Sequence, residues 1–179
     1  MVRTSKFLIR GRPGSGKSTA LNLIEERLRD LGIEVAGIKT PEVRSGSRRI
    51  GFKVVDISTG DSVLFASVSF SSHQRVGRYG VNVSLFESVA IPALVNGLKV
   101  AKVILIDEIG KMELLSNKFV EAVKRIWESN KIAVGTVPIS RVPFVERLVR
   151  SSEVFWIKRG EAEKIAKTIV GKIVSYLNI

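Results

Sequence analysis

Residues 6–18 read Lys6-Phe7-Leu8-Ile9-Arg10-Gly11-Arg12-Pro13-Gly14-Ser15-Gly16-Lys17-Ser18. The first five form a short apolar run of the kind found in buried strands, and the last eight match the pattern Gly-x-x-x-x-Gly-Lys-Ser. The residues that follow carry leucine and isoleucine at helical spacing up to Gly32, which ends the helix. A strand, a glycine-rich loop and a helix in this order predict a phosphate-binding loop near the start of an α/β domain.

The loop Gly11–Ser18 suits phosphate binding for physical reasons. Glycines allow a tight turn in which successive backbone N–H groups point into one concavity. The positive end of the helix dipole faces the same point. Lys17 is then expected to reach the β- and γ-phosphates, and the Ser18 hydroxyl to bind Mg²⁺. The loop therefore predicts a nucleoside triphosphate as ligand and Mg²⁺ as cofactor.

A second motif is an apolar run that ends in two acids, Val103-Ile104-Leu105-Ile106-Asp107-Glu108. The run is nearly continuous and rich in β-branched residues, so it predicts a strand inside the sheet. In phosphate-loop enzymes an Asp at this position holds Mg²⁺, and we expect Asp107 to join Ser18 there. Glu108 is expected to orient and deprotonate an attacking water, which favours hydrolysis.

Strand-like and helix-like segments alternate along most of the chain. This predicts one α/β domain over residues 1–179, with a mainly parallel sheet between layers of helices. Between Arg48 and Phe70, two alternating segments flank a turn, so an antiparallel hairpin is expected to be inserted there. Further on, Ser84-Leu85-Phe86-Glu87 matches a capping box and predicts a helix from Ser84 to about Asn96, with a stop at Gly97.

The composition excludes several kinds of site. The sequence has no cysteine and one histidine, which rules out disulfides, thiolate zinc sites and a cysteine nucleophile. No apolar run reaches the roughly 20 residues of a membrane span, and no secretion signal is recognised, so a cytoplasmic protein without membrane contact is expected. The net charge of +12 predicts attraction to polyanions. It indicates either weak nucleic-acid binding or a solvated basic surface.

At two places, Gly11–Ser18 and Asp107-Glu108-Ile109-Gly110-Lys111-Met112-Glu113-Leu114, the chain resembles the small thermophilic nucleoside-triphosphatase family of archaea and thermophilic bacteria, which has vertebrate relatives. The segments Arg75–Val81 and Gly135–Pro138 are also similar to that family. The resemblance covers nearly the whole chain. It implies a three-layer RecA-like P-loop fold and Mg²⁺-dependent hydrolysis of ATP, GTP and other nucleoside triphosphates with broad base specificity.

The motifs and the resemblance together define an expected site. Lys17 and Glu108 are the expected catalytic residues, and Ser18 and Asp107 the expected metal ligands. The expected nucleotide-binding residues are Gly11, Arg12, Pro13, Gly14, Ser15, Gly16, Lys17, Ser18, Thr19, Val103, Ile104, Leu105, Ile106, Asp107, Glu108, Ile109 and Gly110. Candidates for further phosphate contacts are Arg75, Arg78, Lys111 and Thr136. Candidates for stacking on a base are Phe52, Tyr79, Trp127 and Trp156, each of which is also typical of a core. Glu113 is a candidate to bind or orient a ligand through water, although capping or a local pair is the favoured interpretation.

Three functions stay open at this level. The acid pair favours a nucleoside-triphosphate hydrolase. A nucleotide or polynucleotide kinase would need an acceptor pocket and an arginine-bearing lid, for which Arg141, Arg147 and Arg150 are candidates. The basic charge favours an ATPase that nucleic acid stimulates. A monomer or a small homo-oligomer fits each of them.

Overall fold

A mixed sheet of ten strands forms the middle layer of the computed structural model, which describes residues 4–179. In chain order the strands are β1 (Lys6–Gly11), β2 (Val35–Lys39), β3 (Glu42–Ser45), β4 (Arg48–Asp56), β5 (Ser62–Ser67), β6 (Arg75–Val76), β7 (Tyr79–Val81), β8 (Val103–Asp107), β9 (Ile132–Pro138) and β10 (Glu153–Trp156). Their spatial order is β10-β1-β9-β8-β2-β4-β5-β7-β6, with β3 paired to β4.

The strands β10, β1, β9, β8 and β2 run parallel to one another, which confirms the predicted parallel sheet. Strand β9 separates β1, which leads into the glycine-rich loop, from β8, which ends in the acid pair. Gly11 is paired with Pro138, and Lys39 with Asp107. The carboxyl ends of these strands therefore meet at one edge, which is where ligands bind in sheets of this kind.

Helices cover both faces of the parallel strands. They are α1 (Lys17–Asp30), α2 (Val83–Val100), α3 (Asn117–Glu128), α4 (Pro143–Val149) and α5 (Ala162–Leu177). Because side chains alternate along a strand, Phe7 and Ile9 share a core with α1 and α5, whereas Leu8 shares a core with α2, α3 and α4. Each fully buried aliphatic side chain contributes roughly 1.5–3 kcal/mol, so the two cores fix the loop and the start of α1 on the sheet.

The remaining strands form an antiparallel extension beyond β2. Strand β4 pairs with β2 and β5, which confirms the hairpin predicted between Arg48 and Phe70. The extension also contains β3 beside β4 and a small hairpin of β6 and β7, which the sequence pattern does not predict. Strand β3 is mostly exposed and β6 has two residues, so neither shows the apolar alternation by which a strand is recognised.

The predicted limits of the helix after this extension are wrong. Asn82 rather than Ser84 caps helix α2, and its side chain accepts a hydrogen bond from a first-turn N–H at 3.0 Å. The helix also continues past the expected stop at Gly97 to Val100. A Cβ at position 97 would lie 3.1 Å from Ala36 Cβ of β2. Glycine at this position therefore allows close packing of helix on sheet and does not end the helix.

Among the described helices, only α2 is long enough and apolar enough to cross a membrane. Its side chains Phe86, Ala90 and Leu94 are buried in the core beneath it. One face of the helix thus packs on β2, β4 and β5, and 28% of its 18 residues are buried.

Candidate nucleotide site

The loop between β1 and α1 has a conformation that depends on glycine. Gly14 and Gly16 have φ angles of 75° and 100°, in a region that residues with a Cβ rarely adopt. Ser15 N donates to Arg12 O at 3.1 Å and tightens the turn. Gly16 is the N-cap of α1, and no side chain of the described residues caps that end. The first-turn N–H groups are therefore available to an anion, which the helix dipole also attracts.

The Lys17 ammonium connects the loop with the acid pair. Its side chain is buried, and Nζ donates to Gly11 O at 2.7 Å and to Arg12 O at 3.3 Å. Glu108 Oε2 lies 3.5 Å from the same nitrogen. The two expected catalytic residues are thus in ionic contact at the place where this loop holds the β- and γ-phosphates.

Asp107, the last residue of β8, is oriented by the neighbouring strand β9. Its Oδ1 accepts a hydrogen bond from Thr136 Oγ1 at 2.5 Å. Thr136 is fully buried and is not among the residues that line the cavity, so its hydroxyl orients Asp107. A direct contact between Thr136 and a phosphate stays a prediction. Asp107 itself lines the cavity, which places its carboxylate within reach of a metal ion there.

Glu108 follows Asp107 through a cis peptide bond and has a partly exposed side chain. Burial raises the pKa of the Glu108 carboxyl above its ordinary value, the Lys17 ammonium lowers this pKa, and Asp107 raises it again. A raised pKa makes the carboxylate a better proton acceptor, while the contact with Lys17 favours the ionised form. Both properties suit a general base.

Thr40 contacts the backbone of both members of the acid pair, and Glu113 contacts Thr40. The Thr40 hydroxyl accepts a hydrogen bond from Glu108 N at 3.2 Å and lies 2.9 Å from Asp107 O and 3.0 Å from Glu113 Oε1. A hydroxyl has one proton, so it donates to only one of these two oxygens at a time. Burial, together with the charge of Glu108, raises the pKa of Glu113 to about 8. A protonated Glu113 can donate a hydrogen bond to the Thr40 hydroxyl, which can then donate its own proton to Asp107 O.

Sequence patterns do not identify Thr40, and for Glu113 they favour local contacts over a role in binding through water. Thr40 follows β2 directly, and β2 pairs in parallel with β8. A hydroxyl residue at the carboxyl end of a strand adjacent to the acid pair is the signal that could have indicated its role.

A cavity of about 620 Å³ joins the loop, the acid pair and the antiparallel extension. It brings together the expected residues Lys17, Ser18, Asp107 and Glu108. The full lining is Pro13, Gly14, Gly16, Lys17, Ser18, Thr19, Thr40, Pro41, Glu42, Arg49, Phe52, Val76, Asp107, Glu108, Lys111, Met112, Glu113, Pro138 and Ser140. One continuous cavity therefore extends from the phosphate loop past both acids to Arg49 and Phe52.

Other residues expected to contact nucleotide lie around this cavity and do not line it. Val103–Ile106 are fully buried, and their side chains pack alternately into the two cores. Ile109 is buried as well, and its N–H donates to Thr136 O at 2.9 Å. At Gly110, a Cβ would lie 2.7 Å from Glu108 Oε1. These residues shape the acid pair through backbone and packing contacts.

The arginines expected to contact phosphate are engaged elsewhere, whereas Lys111 lines the cavity as expected. The Arg75 guanidinium donates to Phe70 O at 3.2 Å and to Arg78 O at 2.8 Å. The Arg78 guanidinium donates to Arg49 O at 2.6 Å. Arg75 therefore stabilises the hairpin of β6 and β7, and Arg78 links this hairpin to β4. Arg49 lines the cavity instead. The sequence pattern does not indicate this, because Arg49 reaches the cavity only when β4 pairs with β2.

Of the four aromatic candidates, Phe52 lines the cavity. Tyr79 is buried and packs edge-on against Phe52, with ring centroids 5.2 Å apart. Trp127 is buried, and its Nε1 donates to Ser152 Oγ at 2.8 Å. Trp156 is exposed on the edge strand β10. Phe52 is thus the candidate placed to contact a flat group in the cavity.

The oxygen atoms of this site suit Mg²⁺. Ser18 and Asp107 line the same cavity and offer the oxygen ligands that this ion prefers. Among residues 4–179, no three or more His, Cys, Asp or Glu residues cluster closely enough to hold a metal ion by themselves. Mg²⁺ does not require such a cluster, because it is usually bound by one or two protein carboxylates together with substrate phosphates and water.

Known proteins are similar to this chain in sequence. A family model described as NTPase matches residues 6–170. The chain is 50% identical over 179 residues to the nucleoside-triphosphatase THEP1 of Korarchaeum cryptofilum. This alignment covers 100% of this chain and 92% of that protein. The chain is 36% identical over 172 residues to the THEP1 of Thermotoga maritima, covering 96% of this chain and 95% of that protein.

Two solved structures share the fold. The crystal structure of THEP1 from Aquifex aeolicus has a TM-score of 0.78 and 37% identity, covering 97% of this chain and 99% of that one. The solution structure of a human cancer-related nucleoside triphosphatase has a TM-score of 0.81 and 34% identity, covering 95% and 97%. These similarities and the strand order confirm the three-layer RecA-like P-loop fold. By sequence and by fold, the chain belongs to the nucleoside-triphosphatase family that includes THEP1.

Proposed function

We propose that this chain hydrolyses nucleoside triphosphates to nucleoside diphosphate and inorganic phosphate, with Mg²⁺ as cofactor and broad tolerance of the base. The observation that carries the proposal is the contact of 3.5 Å between Lys17 Nζ and Glu108 Oε2 in a cavity that Ser18 and Asp107 also line. A phosphate-binding cation, two oxygen ligands and a candidate base thereby share one site. The relatives are called nucleoside-triphosphatases, a general term that agrees with the proposed tolerance of the base.

Each residue has a defined part in this reaction. The loop amides and Lys17 hold the β- and γ-phosphates, and Ser18 and Asp107 hold the metal ion. Mg²⁺, when bound, neutralises charge on the phosphate oxygens. Glu108 orients a water molecule and accepts its proton as the water oxygen bonds to the γ-phosphorus. The bond from that phosphorus to the β–γ bridging oxygen breaks, and the diphosphate leaves.

Two variants test these assignments by phosphate release. Lys17→Ala removes the ammonium, so we expect nucleotide binding or turnover to be lost. Glu108→Gln preserves shape but removes the proton acceptor, so we expect nucleotide binding to persist and turnover to fall roughly 10²- to 10⁴-fold. Glu121→Gln, on an exposed position of α3, is the matched control. Normal turnover in Glu108→Gln would show that another group is the base.

A phosphotransferase is a second candidate, and the extent of the cavity favours it. Strand β4 lies beyond β8 and β2 as seen from the loop strand, so the cavity continues past Glu108 to Arg49, Phe52 and Val76. A guanidinium and an aromatic ring suit an acceptor with an anionic group and a flat ring. Transfer of γ-phosphate label to added nucleosides or oligonucleotides would support this function, and release of all label as phosphate would exclude it for those acceptors.

A further inference from the structure

Trp156 is an exposed aromatic residue next to the strand of the phosphate loop. It is 63% exposed, although tryptophan is mostly buried in folded proteins. It is the last residue of the edge strand β10, where it pairs with Arg10 of β1, the residue before Gly11. Exposed tryptophan is enriched at binding surfaces, because a large rigid ring loses little conformational entropy when it is covered.

The Arg10 guanidinium holds this ring in place. Its carbon lies 5.2 Å from the centroid of the Trp156 ring, which is the distance of a cation–π contact. The Arg10 side chain is 6% exposed, donates from Nε to Pro138 O at 3.1 Å and forms an ion pair with Glu146. One face of the Trp156 ring is therefore covered by a fixed group, and the exposed area of the residue can serve a second flat group.

Further arginines surround the same ion pair. Arg10 lowers the pKa of the Glu146 carboxyl, and Arg141 and Arg150 lower it further from nearby. Arg141 and Arg150 flank helix α4 and are exposed, whereas Glu146 in that helix is already paired with Arg10, so this part of the surface has an excess of positive charge. Arg141 and Arg150, candidates for a kinase lid by sequence, do not line the cavity. We call Trp156, Arg10, Arg141, Glu146 and Arg150 the Trp156 surface.

This surface adjoins the nucleotide site through the end of β9. Pro138, which accepts the hydrogen bond from Arg10, and Ser140 both line the cavity. Arg10 also immediately precedes the phosphate loop. A ligand on the Trp156 surface would thus lie beside the end of β9, which borders the nucleotide cavity.

We propose that the Trp156 surface binds single-stranded nucleic acid, with one base stacked on the Trp156 ring and neighbouring phosphates paired with Arg141 and Arg150. An accessible ring suits an unstacked base, and a duplex has none to offer. The phosphates complement the excess charge, in agreement with the net charge of +12. Binding of this kind requires no hydrolysis, so it holds or fails independently of the proposed function.

Tryptophan fluorescence gives a direct test at low salt. The sequence has two tryptophans, and Trp127 is buried, so Trp156 is the one available to a base. We expect a short single-stranded oligonucleotide to quench the emission of the unmodified chain and to leave that of Trp156→Phe nearly unchanged. Quenching that persists in Trp156→Phe would overturn the stacking assignment.

Anisotropy of a labelled oligonucleotide measures the affinity separately. We expect Trp156→Ala to weaken binding roughly 5- to 150-fold, the range for loss of one stacked base. Arg150→Ala should weaken binding of every sequence and reduce the salt slope by roughly 0.7, the contribution of one phosphate contact. The controls Leu31→Ala and Arg125→Ala change an exposed apolar residue and an exposed arginine elsewhere on the surface and should bind normally.

Three results would overturn the proposal. The first is no binding by the unmodified chain at low salt. The second is binding that Trp156→Ala leaves unchanged while its thermal unfolding matches that of the unmodified chain. The third is equal competition by a duplex or by an acidic peptide, which would mean that the surface recognises charge alone or a protein partner.

Discussion

Replacing Glu113 by Gln should make the protein more stable at alkaline pH. Glu113 is 6% exposed beneath the acid pair, and burial raises its pKa to about 8 from an ordinary value of 4.5. Between these two values the folded chain keeps a proton that the unfolded chain releases. The free energy of unfolding therefore has its full contribution from this group below pH 4.5 and loses it as the pH rises through about 8.

The magnitude follows from the two pKa values. They differ by about 3.5, and each pKa unit corresponds to about 1.4 kcal/mol, so on the order of 5 kcal/mol of stability is lost across this interval. Gln has nearly the same shape, can donate to Thr40 through its amide and cannot ionise. Glu113→Gln should therefore equal the unmodified chain within about 1 kcal/mol near pH 5 and exceed it by several kcal/mol near pH 9.

Guanidinium unfolding curves at several pH values measure this difference. Glu121→Gln, an exposed acid on α3, is the control for the general effect of removing one negative charge. The protein should be free of nucleotide and metal, because ligands that bind only the folded state add their own stabilisation. If Glu113→Gln and the unmodified chain lose stability in parallel from acid to alkaline pH, then Glu113 is not protonated in the fold and our account of its contact with Thr40 is wrong.

Two further changes test the metal site and the loop. Thr136→Val preserves shape but removes the hydrogen bond to Asp107 Oδ1, so the Mg²⁺ concentration for half-maximal turnover should rise roughly 10- to 100-fold; an unchanged Mg²⁺ dependence would contradict the orienting role of Thr136. Gly16→Ala places a Cβ where φ is 100°, which should cost about 1–2 kcal/mol in unfolding experiments and weaken nucleotide binding. Here the added Cβ would lie 3.6 Å from Ala162 Cβ, an ordinary contact, so a much larger loss would point to a clash that the structure does not show.

Local patterns were sufficient to predict most elements of the fold and the centre of the site. The phosphate loop and the acid pair are contiguous motifs, so their chemistry is encoded within a few neighbouring residues. The sequence pattern does not predict short elements such as β3, because the mostly exposed residues Glu42–Ser45 show no alternation of apolar and polar side chains. The predicted end of α2 is wrong because glycine often ends a helix, whereas Gly97 lies inside α2 and allows it to pack closely on β2.

The partners of the site residues depend on strand order and register. Thr136 reaches Asp107 because β9 lies beside β8, and Thr40 reaches Glu108 because β2 lies on the other side. Arg75 lies next to Val76, which lines the cavity, yet its guanidinium donates to Phe70 O and Arg78 O. None of these contacts can be read from spacing along the chain.

The amino-acid sequence alone determined that this chain has a phosphate loop with an acid pair, because those properties depend on backbone freedom and charge within short segments. Only the tertiary structure decided which groups orient the acids, how far the cavity extends and that Trp156 is exposed beside Arg10. The physical reason is that burial and hydrogen bonding depend on distances through space. The sheet brings together residues that are separated by up to 146 positions in the chain, as Arg10 and Trp156 are.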